Sequence, residues 1–266
     1  MKIAIVDMTG EAGDVRLAAI AGAVQAQQSD YAYVWQSAPV PIRAVKDVSN
    51  IGGDETPCYI LKDSDQADAL GYHDTDDKGR PFARVFAGVI LGNGGNWYDD
   101  GNSVSVCISH EVLETVGDPY ANWWADSRHG FQRAIELCDF VESQWYSSGG
   151  IAVSNFMGPR YFSLASEGPY DYMGNVKHLD GNPAPGDYEI RRSPGGSSYP
   201  VFGEQYPEWK KILKAHPSSR TSKRLELSSL CSILGSMPED SVTNLRKLGQ
   251  YYLQHKAHRA LKDDGT

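Results

Sequence analysis

The sequence predicts an α+β domain built around a mixed sheet, with a helical appendage at its C-terminus. Three observations carry that expectation. Runs rich in Ile, Val and aromatics at 2–7, 57–62 and 82–91 have strand composition. Two longer segments, 10–28 and 104–116, repeat apolar residues at three and four, the helical period. Near Tyr206-Pro207 the composition changes, and residues 215–224 become rich in Ser, Lys and Arg. A main domain over 1–210 and a linker with helical appendage over 211–266 are therefore expected.

Taken in order, Lys2 to Asp7 reads as a buried first strand. Gly10 to Gln28 follows as a helix. Tyr31 to Gln36 has the aromatic and β-branched content of a strand, and Ile42 to Val48 alternates as another. Pro57 to Lys62 is a further strand. Asp63 to Asp77 is acidic and reads mainly as solvated loop, because it lacks the ordered pattern of a calcium-binding loop. Phe82 to Leu91 is the clearest strand, and Asn93-Gly94-Gly95-Asn96 turns the chain. Asn102 or Ser103 can cap the helix that follows, and Gly117 with Asp118-Pro119 can end it. Residues 120–130 read as loop, Gly149 to Phe162 as a hairpin or strand and then a loop, and 163–207, rich in Gly, Pro, Tyr and Asp, as a segment that wraps the domain or forms one wall of a site. Leu225 to Leu234 and the stripe Val242, Leu245, Leu248, Tyr252 read as the appendage's helices.

Composition narrows the functional classes. A formal charge of -9 removes the basic footprint that non-specific nucleic-acid binding or an anionic membrane surface needs. The N-terminus is too short in apolar residues and too soon acidic for a signal peptide, and no run approaches a membrane span. Cys58, Cys107, Cys138 and Cys231 form no C-x-x-C pair and read as reduced, mostly buried thiols. A cytoplasmic or virion-associated location is expected, with no nucleic-acid or membrane partner. No G-x-S-x-G elbow or P-loop offers competing chemistry.

The informative stretch is Ser109-His110-Glu111-Val112-Leu113-Glu114, in an otherwise apolar helix. Burying ionisable groups costs free energy unless they are paired or hold a metal. Positions i and i+4 share a helix face, so His110 and Glu114 project together, with Asp118 a further turn along. A catalytic zinc site needs three protein ligands and an open position. Glu136 is the leading third ligand and Asp118 its rival. Asp139, three residues further on and on the same face as Glu136 if that stretch is helical, can accept a hydrogen bond from the free ring nitrogen of His110. Glu111 is then the general base. One His with several carboxylates is a hard donor set that suits zinc or another divalent ion such as Mn or Ca. Tyr161, Tyr170 and Tyr172 are candidate oxyanion partners, and His73 reads as a loop residue.

This H-E-x-x-E helix resembles those of zincin metallopeptidases. The run S-H-E-V-L-E-T-V-G-D-P, then N-W-W, then E-L-C-D is similar to a group of zincin-like proteins from bacteria and tailed phages. The stretches G-Y-H-D at Gly71 and V-S-N-F-M-G-P-R-Y-F at Val153 carry the same likeness, which covers roughly residues 55–175. It implies a zincin-like mixed sheet with a buried active-site helix and a metal site. The leading expectation is a metal-dependent peptidase acting on a protein or peptide. The alternative is a non-catalytic structural or assembly protein, such as a phage virion component contacting neighbouring virion subunits.

Overall fold

The computed structural model describes residues 1–65, 69–164, 167–177, 179 and 182–206. The appendage expected over 211–266 lies outside these described residues. The chain is α+β, with a mixed sheet. β1 (Ile3–Asp7) leads into α1 (Asp14–Trp35), then β2 (Ile42–Val45), β3 (Thr56–Leu61), β4 (Gly71–Thr75) and β5 (Pro81–Phe86). These strands form one sheet in the order β2-β1-β3-β5-β4. All neighbours are parallel except β4, which runs antiparallel to β5 as an edge strand.

Alternation along β1 sorts its side chains between two faces. Ile3 and Ile5 join Cys58, Ile60, Ala83 and Val85 in the main core. Ala4 and Val6 pack on the other side with Val45. The main core is closed by Leu17, Ile20 and Val24 of α1 and by Val104, Ile108 and Val112 of α3 (Val104–Gly117). A short helix α2 (Ala87–Gly92) precedes α3. Beyond α3 lie β6 (Trp124–Asp126), β7 (Gln132–Ala134), the hairpin β8 (Trp145–Ser148) and β9 (Ile151–Ser154), then β10 (Tyr188–Arg192) and β11 (Ser198–Phe202). β6, β7, β10 and β11 make a second, antiparallel sheet in the order β11-β10-β7-β6.

Three sequence expectations are corrected here. The strand expected over Tyr31–Gln36 is the last turns of α1. Tyr31 and Trp35 stack at 5.6 Å, an i,i+4 pair on one helix face, so packing overrides their strand propensity. The strand expected to run to Leu91 stops at Phe86. Gly88 lies so close to the Lys62 carbonyl that a Cβ there would collide with backbone, and the chain turns into α2. Lastly, the acidic segment expected as loop contains β4, whose Tyr72 and His73 are both buried.

Candidate metal centre

α3 carries the site and is fixed at both ends. The Ser103 side chain accepts a hydrogen bond from the Val106 N–H and caps the N-terminus. Along one face, Ser105 Oγ donates to the Ala152 carbonyl at 2.6 Å, and Ser109 Oγ accepts from the Ser154 N–H at 2.8 Å. These i,i+4 serines hold β9 along the helix. On another face, Gly71 of β4 approaches so closely that a Cβ would sit 2.7 Å from Cys107 Sγ and 3.0 Å from Glu111 Cγ. That contact brings the edge strand, and with it His73, down onto Glu111.

The helix end is shaped by Gly117. A Cβ there would lie 2.6 Å and 2.7 Å from the Cδ1 and Cγ of the fully buried Leu137. The glycine admits Leu137, so the segment 136–139 lies against the helix. The Cys138 N–H points at Glu114 Oε1, 3.4 Å away, from that same segment.

Two groups of donors result, and they share Glu114. In the first, His110 Nε2 stands 3.2 Å from Glu114 Oε1 and 3.4 Å from Asp139 Oδ1. In the second, His73 Nδ1 stands 3.4 Å from Glu114 Oε2 and 3.7 Å from Glu111 Oε2, while Glu136 Oε2 lies 3.9 Å from His73 Nε2. One ligand atom each from His110, Glu114 and Asp139 fall within 4.8 Å of one another, as do those from His73, Glu114 and Glu136. His73 Nε2 is also 3.0 Å from the Asp118 carbonyl. A carbonyl only accepts, so this nitrogen carries a proton and Nδ1 is the one turned to the carboxylates.

The site is deep. Glu114 and His73 are fully buried, Glu111, Glu136 and Asp139 nearly so, and His110 is 12% exposed at its side chain. Burial works to lower the His110 pKa, but the Glu114 carboxylate outweighs it, with the side-chain contacts to Asp139 and Glu114 in support. The imidazole is held well above its ordinary value and is protonated in the absence of a cation. Burial pushes the Cys138 thiol up, so it stays neutral beside His110.

The donor spacing suits a metal. Two ligands roughly 2.0–2.1 Å from a tetrahedral zinc stand about 3.3 Å apart, by the geometry of such sites. The 3.2 Å and 3.4 Å separations around His110 Nε2 match that spacing. Asp139 Oδ2 and Glu111 Oε2 are buried and accept no hydrogen bond among the described residues. A buried carboxylate oxygen left in that state is costly unless a cation completes it.

The structure brings four of the residues expected at the site together in a different pairing. Asp139, expected to support His110 from behind, stands beside Glu114 in front of its Nε2. Glu136, expected as third ligand, stands on the His73 side. Asp118, its rival, caps the end of α3, with Oδ2 accepting from the Trp123 N–H and its carbonyl facing His73. The split arises because Glu136 and Asp139 are not on one helix. β7 ends at Ala134 and a 3-10 turn begins only at Asp139. Tyr161 donates its hydroxyl to Glu189 at 2.5 Å and is committed to that buried ion pair. His73 is the residue that sequence reasoning passed over. The G-Y-H-D quartet around it was the available signal.

No family model, curated protein or solved structure matches this chain.

Proposed function

We propose that this chain is a metal-dependent hydrolase of the zincin-like kind, acting on peptide bonds through an ion held by His110, Glu114 and Asp139. The observation that carries the reading is that Glu114 Oε1 and Asp139 Oδ1 stand 3.2 Å and 3.4 Å from His110 Nε2, the spacing of two ligands on a tetrahedral ion, with all three donors within 4.8 Å of one another. A mixed five-stranded sheet beside a buried H-E-x-x-E helix supports the same reading. Bound there, a zinc or manganese ion would polarise a peptide carbonyl and make a water easier to deprotonate. Glu111, one residue from His110 and three from Glu114, supplies the proton acceptor, and its Oε2 is uncommitted to any donor among the described residues. Glu114 and Asp139 stand side by side in front of His110 Nε2.

The test combines composition and turnover. Protein purified without chelator should carry the metal and cleave an unfolded protein substrate. Glu111→Gln should abolish cleavage while retaining metal and fold. Wild type with neither metal nor cleavage overturns the proposal.

Burial favours a second reading. Glu114 is fully buried, Asp139 nearly so, and His110 is 12% exposed at its side chain, which suits an internal metal staple in a structural or assembly protein. That reading predicts bound metal, no cleavage, and a large loss of thermal stability on chelation.

A further inference from the structure

We propose that the centre is dinuclear, with Glu114 bridging two divalent cations: one at His110 and Asp139, the other at His73 Nδ1 beside Glu111, with Glu136 on the Nε2 side of that ring. The second ion deepens the metal reading above and rests on it. Glu114 is fully buried, and its two oxygens are divided between two histidines. Oε1 faces His110 Nε2 at 3.2 Å and Oε2 faces His73 Nδ1 at 3.4 Å. That is the arrangement a bridging carboxylate requires, and the second separation equals the ligand spacing seen around the first group.

The tautomer of His73 points the same way. Its Nε2–H is held by the Asp118 carbonyl at 3.0 Å, which fixes the ring and leaves Nδ1 directed at carboxylates. Metal-ligating histidines are commonly held in this way through their other nitrogen. An independent observation comes from Glu111. It is 95% buried, its Oε2 accepts no hydrogen bond among the described residues, and that oxygen lies 3.7 Å from His73 Nδ1. A cation placed there would be shared by His73 Nδ1 and the two carboxylate oxygens that face it.

Glu111, Glu114, Glu136 and Asp139 crowd four carboxyl groups into one buried region. A set of one imidazole and several carboxylates takes a hard divalent ion such as Mn(II), Mg(II) or Zn(II). Dinuclear hydrolytic centres hold their ions about 3.5–4 Å apart, within the reach of one carboxylate bridge.

The test uses the full-length chain, stripped of metal and reloaded with Mn(II). Equilibrium dialysis with elemental analysis should find two equivalents in the wild type. Electron paramagnetic resonance of the same sample should show an exchange-coupled pair rather than the six-line signal of isolated Mn(II). His73→Gln should reduce binding to one equivalent and restore the isolated-ion signal, with an unchanged circular dichroism spectrum. The wild-type spectrum needs no variant, so a failure of His73→Gln to fold leaves the proposal testable. One equivalent in the wild type, lost in His110→Ala but kept in His73→Gln, overturns the second ion and leaves the first reading standing. No binding at all overturns both. One equivalent lost in either variant also overturns the bridged pair, because a single shared ion would explain it.

Discussion

Replacing Gly117 with alanine tests how the site is assembled. Gly117 has helical backbone geometry as the last residue of α3, so alanine is conformationally allowed there. Propensity alone favours the change by up to about 1 kcal/mol. Sterics oppose it: the new methyl would stand 2.6–2.7 Å from Leu137 Cδ1 and Cγ, and Leu137 is fully buried. Overpacking of this kind costs roughly 1–3 kcal/mol, so a net destabilisation of about 1–2 kcal/mol is expected. For a domain of this size that is a fall in Tm of a few degrees, at about 2–4 °C per kcal/mol. Because Leu137 lies between Glu136 and Asp139, its displacement should also weaken metal binding about tenfold or more, the scale for losing a ligand's support. Thermal melts and metal titrations on wild type, Gly117→Ala, Leu137→Ala and the double variant close a thermodynamic cycle. Leu137→Ala alone should cost about 2–5 kcal/mol. In that background Gly117→Ala should become neutral or stabilising. If Gly117→Ala is as stable as wild type and binds metal as well, the close approach of helix and loop does not shape the site.

Further outcomes follow from the same geometry. Chelation should lower Tm, and metal present at 100 times its Kd should restore about 2.7 kcal/mol, as mass action requires; a melt indifferent to chelator contradicts this. Asp187 is fully buried, and burial raises its carboxyl to about 6 despite the Ser143 N–H donated to it. A folded pKa above the unfolded one means that its stabilising contribution is present below about pH 4 and is lost as pH rises through 6. Asp187→Asn should therefore be more stable than wild type at pH 7.5, by up to roughly 2–3 kcal/mol at 1.36 kcal/mol per unit, with the gain gone at pH 4 in denaturant titrations. Gly22, inside α1 with open space within 4 Å of where a Cβ would stand, gives a contrasting control: Gly22→Ala should raise stability by about 0.5–1 kcal/mol in the same assay.

The parts of the fold and site that sequence made legible are those set by local rules. The α3 helix, its Ser103 cap and the shared face of His110 and Glu114 follow from spacing and capping chemistry, and the structure holds them in those places. Gly117 was legible as a helix end, but its role is steric. The residue after it has a negative φ, and the glycine's service is to admit Leu137. What the sequence hid depends on tertiary contact. His73 lies in an acidic stretch with weak alternation, and only pairing of β4 with β5 and the close approach at Gly71 bury it. The E-x-x-D spacing suggested one helical face. The chain instead passes from β7 through an irregular turn, sending Asp139 to His110 and Glu136 to His73. Tyr31 and Trp35 carried strand propensity into a helix because both pack as an i,i+4 pair beside Phe156.

The most direct measurement is anomalous diffraction at a metal absorption edge, from crystals grown without chelator and supplied with Zn(II) or Mn(II). A peak is expected within about 2.0–2.2 Å of His110 Nε2 and of a carboxylate oxygen from each of Glu114 and Asp139, the normal ligand distances for such ions. An ordered site at those three residues with no peak, or a peak that does not touch His110, would contradict the assignment.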